Sequence, residues 1–405
     1  MSALAGIDVR SQFPVLEREG LVYLDSAATA QKPQVVIDAV RDLFEHHNAS
    51  VHRGVYPLAV EATDRYEGAR TDLGAWLNWP ARDTIFTKNA TEALNVVAWS
   101  WGRSNLREGD VVLLTHLEHH SVIVPWQMVA AETGARIAYV GIDEDGVLRM
   151  DELDEQLAAG DVKVVACTHV SNVTGTIVPV AEVVRRARAA GALVVVDGSQ
   201  AVPQLPVDVG AIDADFYVWT GHKAYGPTGV GVLHGKREHL VAMPPFLGGG
   251  HMIASVGLET SRYAEPPAKF EAGTSPIAEA HGLGVAAGWL RGLGMAAVRE
   301  HERDVTAYAL GRLSEIEGLT VHGPRDADRR GALVSFSLDI AHPHDVAEIL
   351  GRRGVCVRAG HHCAQVLMRV LGESATTRAS FAAHSTREDV DALVEGLAEV
   401  RRIFG

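Results

Sequence analysis

One lysine of this chain stands where its chemistry would change. The apolar, aromatic run Phe216-Tyr217-Val218-Trp219 leads through Thr220-Gly221-His222 to Lys223, and the glycine-rich turn Gly226-Pro227-Thr228-Gly229 follows. A lysine held out of water loses pKa and becomes a nucleophilic amine suited to a carbonyl. Read alone, an exposed lysine after a strand is the better reading. The run Leu193-Val194-Val195-Val196 ends in Asp197, 26 residues before Lys223. Read alone, that aspartate is as readily a cap for the next turn. One strand–helix–strand step apart, both fall on one edge of a sheet, the edge where open α/β sheets bind ligands. Pyridoxal phosphate needs this pair, a lysine for its aldehyde and a carboxylate for its pyridine nitrogen. Opposite charges about 3 Å apart attract by roughly 5 kcal/mol at an effective dielectric of about 20, enough to keep that nitrogen protonated.

Three further segments carry candidate chemistry. Ile85-Phe86-Thr87 runs through Lys88-Asn89 into Ala90-Thr91-Glu92, where a helical pattern opens. The N–H groups of Ala90 and Thr91 and the Thr91 hydroxyl would make a phosphate cup, compatible with an ordinary helix cap. Leu117-Glu118-His119-His120-Ser121 follows another apolar strand, so His119 could stack on a cofactor ring and move protons. His116, His119 and His120 also have a spacing that permits zinc, but neighbours at a strand end point to opposite faces, so no metal is expected. In Arg358-Ala359-Gly360-His361-His362-Cys363-Ala364 the cysteine is a candidate nucleophile, since cationic neighbours raise the thiolate fraction. A buried, inert cysteine and a His-His-Cys metal site are the rival readings; Cys167 and Cys356, inside apolar runs, read as small hydrophobes. Arg358 and Arg378 could clamp a carboxylate. The Gly226–Gly231 glycines follow the wrong element for a dinucleotide loop, and His251 has no assigned task.

The elements that must position these residues alternate. Thr84–Thr87, Val111–Thr115, Val162–Thr168, Leu193–Val196, Phe216–Trp219 and Gly229–Leu233 read as strands, mostly continuous Val/Leu/Ile runs suited to burial on both faces. Thr91–Trp101, Val122–Thr133 and Val180–Ala190 read as helices, which predicts an α/β protein with a mostly parallel sheet. After Pro276–His281 the pattern changes to a helical stretch over Val285–Glu317, strand-like Ala332–Leu338, helical Asp345–Arg353, strand-like Val355–Arg358 and a last helix over Thr386–Phe404. That predicts a large unit over 21–285 and a smaller α+β unit over 286–405, with residues 1–20 as a segment packed on the latter. With 405 residues, 47% of them hydrophobic, the chain can bury two cores. A net charge of −14 disfavours nucleic acid. Three cysteines, no long apolar run and the early charges Asp8, Arg10, Glu17 and Glu19 point to a reducing, cytoplasmic setting with no membrane contact.

These motifs together resemble the SufS/CsdA type (group II) of cysteine desulfurases, in the class V aminotransferase family of pyridoxal phosphate enzymes. The resemblance runs from Leu24-Asp25-Ser26-Ala27-Ala28 to the last helix and includes Val51-His52-Arg53-Gly54, Asn89-Ala90-Thr91-Glu92-Ala93, Thr168-His169-Val170-Ser171-Asn172, Val196-Asp197-Gly198-Ser199-Gln200-Ala201, Thr220-Gly221-His222-Lys223, Phe270-Glu271-Ala272-Gly273-Thr274 and the Cys363 loop. It implies the PLP-dependent transferase fold of type I, with Lys223 bonded to the cofactor, Asp197 on the pyridine nitrogen, Gln200 on the ring hydroxyl and His119 stacked on the ring. It further implies phosphate contacts from Thr91, Thr220 and His222, and from Thr274 to the neighbouring subunit of a homodimer. Asn172, Arg358 and Arg378 would orient the substrate, and Cys363 would take its sulfur for iron–sulfur cluster or other sulfur biosynthesis. His342-Pro343-His344-Asp345 resembles the segment of desulfurases that work with a zinc-bearing SufU-type acceptor, through His342. The chain departs from the family pattern at Ser275-Pro276-Ile277, Val366 and His384-Ser385, positions expected near the cofactor, the nucleophile loop and the substrate carboxylate. The departures keep a selenocysteine lyase or a C–S lyase of the same fold as alternatives, and a catalytically silent sulfur-carrier scaffold as a third.

Overall fold

The structure, a computed structural model, describes Leu4 and residues 7–405. Its strands in chain order are β1 (Val22–Tyr23), β2 (Thr84–Thr87), β3 (Val111–Thr115), β4 (Arg136–Val140), β5 (Val162–Thr168), β6 (Leu193–Asp197), β7 (Phe216–Thr220), β8 (Gly231–Gly235), β9 (Ile253–Val256), β10 (Ser261–Tyr263), β11 (Leu319–His322), β12 (Leu333–Leu338), β13 (Val355–Cys356), β14 (Arg358–Gly360) and β15 (Thr376–Ser380). Seven form the main sheet in the order β2-β8-β7-β6-β5-β3-β4. Only β8 runs against the others in that sheet. The strands β2, β3 and β6 to β8 are buried at every residue, which is why they read as unbroken apolar runs. Edge strand β4 is mostly half-exposed and escaped the pattern. Helices cover both faces, and two separate apolar clusters lie above and below the sheet. On one face the helices Pro57–Trp76 and Ile277–Leu293 pack closely at Gly284, where an added Cβ would lie 2.8 Å from the Ala69 Cβ.

The second sheet is antiparallel, in the order β11-β12-β15-β14. It shares a core with the helices Met295–Ser314, Pro343–Arg352 and Arg387–Phe404. The single helix expected over Val285–Glu317 is two helices broken at Gly294, whose φ is +81°. The first packs on the large sheet's helices and the second on the small sheet, so the change of core falls at Gly294. The N-terminal segment touches both units. Phe13 packs edge-on to Trp289 and against Tyr225 and His384, Arg10 pairs with Asp389, and β1 pairs in parallel with β13.

Candidate active site

The carboxyl ends of β2, β3, β5, β6 and β7 lie along one edge of the large sheet and open into a cavity of about 290 Å³. Asp197 closes β6; its Oδ1 accepts the Ser199 N–H at 2.9 Å, leaving Oδ2 for another donor. Lys223 ends the short turn Gly221–Lys223 after β7. Desolvation lowers its pKa to about 8, with Asp197 opposing and Arg378 assisting. His119 caps the helix His120–Thr133: its Nδ1 accepts the Ser121 N–H at 3.1 Å, which leaves the proton on Nε2. Burial, then Lys223, lowers its pKa to about 4, so the ring is neutral at pH 7. Burial brings His222 to about 4 as well. Ala90 and Thr91 open a continuous helical run capped by the Asn89 side chain, which accepts the Glu92 N–H at 3.0 Å. Gln200 donates to the Ala27 carbonyl at 2.8 Å.

The small unit forms the opposite wall. Asn172 Nδ2 donates to the His362 carbonyl at 2.7 Å, and the Asn172 carbonyl accepts from Arg378 at 2.8 Å. The His120 N–H donates to the Cys363 carbonyl at 2.7 Å, and His120 Nε2 accepts the Gln365 N–H at 3.0 Å. These bonds tie the Cys363 loop to the end of β3. His362 and Cys363 both have left-handed backbones, with φ of 52° and 56°. His362 is buried, with Nε2 at 2.9 Å from Thr376 Oγ1, whereas Cys363 is exposed.

The cavity is lined by Ala90, Thr91, His119, Asn172, Asp197, Gln200, Thr220, His222, Lys223, Arg358, Cys363 and Arg378, which the sequence singled out. Thr274 lies elsewhere, in a surface hollow with Ser50, Arg53 and His251. His342 is an exposed N-cap with its ring stacked on His344, 5.3 Å between centroids. The three histidines of the zinc-like spacing diverge: His116 stacks on Tyr139 and His120 turns to the Gln365 backbone.

None of Ile277, Val366, His384 or Ser385 lines the cavity, although Val366 directly adjoins the Cys363 loop and Ser275 shares the hollow of Thr274. His384 is buried against Phe13 and Tyr23, Ser385 accepts the Ala382 N–H, and Val366 and Ile277 pack on the large core. Sequence reasoning assigned nothing to Asp25, which pairs with both Arg358 and Arg378, or to Glu118. Glu118 takes the Thr115 hydroxyl at 2.6 Å and the Thr168 N–H at 3.0 Å, tying β3 to β5, and burial pushes its pKa up to about 8. The two arginines of Asp25 and the Thr168 N–H of Glu118 are distant in sequence, so no local pattern marks these pairings.

Thr220 Oγ1 and Ser199 Oγ are buried beside this cavity without a hydrogen-bond partner. With the free Asp197 oxygen, the amine of Lys223 and a helix start at Ala90, they suit a phosphorylated pyridine aldehyde. Residues 22–393 match the class V aminotransferase family. The probable cysteine desulfurase of Streptomyces coelicolor is 49% identical over 98% of this chain and 97% of its own length. The crystal structure of the cysteine desulfurase CsdA from Escherichia coli superposes with a TM-score of 0.91 at 37% identity, covering 98% of each chain. The apo cysteine desulfurase of Thermococcus onnurineus gives 0.94 at 34%, again covering 98% of each. The chain therefore belongs to the pyridoxal phosphate-dependent class V aminotransferase family and, within it, to the cysteine desulfurases.

Proposed function

We propose that this protein converts L-cysteine to L-alanine and keeps the sulfur as a persulfide on Cys363. One observation carries the reading: an exposed cysteine lines the same cavity as a desolvated lysine and a strand-end aspartate. Bound pyridoxal phosphate supplies an electron sink for charge developing at the substrate Cα. Asp197 would hold its ring nitrogen and keep it protonated, and Gln200 would hold its ring hydroxyl. Ala90, Thr91, Thr220 and His222 hold its phosphate. Lys223 would hold its aldehyde, and the free Lys223 amine, with a pKa near 8, takes the substrate Cα proton near neutrality. His119, a neutral imidazole, would hold the face of the cofactor ring. Arg358, Arg378 and Asn172 orient the substrate.

The Cys363 thiolate attacks the substrate sulfur. The new S–S bond forms as the C–S bond breaks, and that electron pair passes to the substrate carbon, which is protonated to leave alanine. An acceptor then removes the terminal sulfur. In the same reading Thr274 completes the site of a second copy in a homodimer, and His342 meets a zinc-bearing acceptor. The large unit through residue 285 holds the cofactor, the remainder carries the nucleophile, and the reaction takes place in the cytoplasm. No helix among the described residues is long and apolar enough to cross a membrane.

The test is to load the protein with pyridoxal phosphate, add L-cysteine, and measure alanine together with one added sulfur on the Cys363 peptide. A yellow protein yielding neither would overturn the desulfurase reading in favour of another C–S or C–Se lyase. Unchanged acceptor stimulation in His342→Ala would remove the zinc-acceptor role.

A further inference from the structure

Two successive histidines follow β3, and His119 lines the cofactor cavity whereas His120 does not. His120 turns to the nucleophile loop instead. Its N–H donates to the Cys363 carbonyl at 2.7 Å, and its Nε2 accepts the Gln365 N–H at 3.0 Å. The two bonds reach the loop on either side of Ala364. Cys363 and Gln365 are themselves exposed, so burial does little to hold the thiol in place. The second bond carries a protonation requirement. A backbone N–H can only donate, so Nε2 must offer a lone pair and the neutral ring keeps its proton on Nδ1. A second proton on the ring would set one N–H against another at this contact, and the bond would be lost.

We propose that His120 is a positioning residue that holds the Cys363 loop against the end of β3 only while its ring is neutral, so that acid releases the nucleophile. The inference rests on the assignment of Cys363 as the sulfur-accepting nucleophile. The titratable groups around the ring are His361 and Cys363 on the loop and His119 on its own element, 6.3 Å between ring centroids. Burial, then His361, draws the His120 pKa below the ordinary 6.5, so the ring is neutral at pH 7 and the tie is intact there. Burial holds His119 and His362 lower, at about 4 and about 3, so both stay neutral down to pH 5. The loop therefore has one bond to the sheet edge that mild acid can break.

The experiment compares the holoenzyme with His120→Gln and His120→Phe at matched pH, so that titrations elsewhere cancel. One readout is backbone hydrogen exchange over residues 363–367; the other is the single-turnover rate of persulfide formation on Cys363 with L-cysteine. Glutamine offers an oxygen to the Gln365 N–H and cannot titrate, whereas phenylalanine fills the space with no acceptor. At pH 7.5 His120→Phe should exchange about fivefold faster than His120→Gln, the loss of one hydrogen bond, with the parent beside the glutamine variant. At pH 5 the parent should have moved to the phenylalanine variant, and the persulfide rates should follow the same order. Gln365→Pro removes the donor at the first helical position, where proline is tolerated, and should open the loop at both pH values. A parent-to-glutamine ratio that is the same at pH 7.5 and 5 overturns the proposal. So does a Gln365→Pro loop as closed as the parent's at pH 7.5, which decides the matter if the histidine variants do not fold. If exchange shifts but the persulfide ratio does not, the loop is tied without placing the thiol, and the proposal fails. If no persulfide reaches Cys363 in any of the proteins, the nucleophile assignment itself fails and this proposal falls with it.

Discussion

Lys223 and Cys363 line one cavity, yet they are held in opposite ways. The lysine is rooted at a strand end among buried residues, and desolvation tunes its amine. The thiol stands exposed, on a loop whose backbone is left-handed at two successive residues. Each left-handed residue that is not glycine costs about 1–2 kcal/mol, and the surrounding hydrogen bonds must offset it. A base that moves a proton within the site gains from dryness. In the proposed reaction the thiol hands sulfur to another molecule and so stands exposed, with its position fixed through the backbone instead.

The largest effects should break the two halves separately. Lys223→Ala is expected to lower alanine formation by about 10³-fold or more while some cofactor stays bound through Asp197, Gln200 and the phosphate contacts. Complete loss of cofactor would mean that the floor is organised by the lysine rather than around it. Cys363→Ser should keep the cofactor's absorption spectrum unaltered and form no persulfide, with sulfide release down by about 10²-fold or more. Normal sulfide release from L-cysteine in that variant would remove the nucleophile assignment.

The same contrast explains what was legible in the sequence. Asp197 and Lys223 follow long apolar runs, so the strand pattern alone puts both on one sheet edge. Cys363 was legible by type and by its Gly/His neighbours, but its left-handed backbone was not. That conformation follows from bonds to Asn172, His120 and Thr376, none of them local. The break at Gly294 was hidden because apolar spacing runs on through both helices. Asp25 was hidden because its role exists only once β14 and β15 bring two arginines together. His384 misled for the converse reason: it lies close in sequence to Arg378 but turns away to pack on Phe13.

Beneath the floor, Glu118 tests how dry that half is. Its unfolded pKa is the ordinary 4.5 and burial raises the folded value to about 8. A raised folded pKa contributes stability below pH 4.5 that is lost as pH climbs through 8. Glu118→Gln keeps an oxygen for the Thr115 and Thr168 donors and has nothing to ionise. Its stability relative to the parent should therefore rise by about 3–4 kcal/mol between pH 5 and pH 8. Equal gains in urea midpoint at both pH values would show that water reaches Glu118 and that the floor is wetter than its partners suggest.

The smallest effect belongs to the rim. His362 has a left-handed backbone and gives Thr376 a partner for its hydroxyl, so two contributions are superimposed there. His362→Asn loses the Thr376 bond, worth about 1 kcal/mol, but asparagine tolerates the left-handed region. His362→Ala loses the same bond and keeps the Cβ penalty that histidine already pays, for about 1 kcal/mol in all, whereas asparagine relieves part of that penalty. The difference between their urea midpoints isolates the backbone share. If alanine and asparagine destabilise equally, the loop is held by the His362 side chain. If asparagine is clearly milder, the strain sits in the backbone next to the thiol, and the exposed half is positioned by its hydrogen-bonded carbonyls.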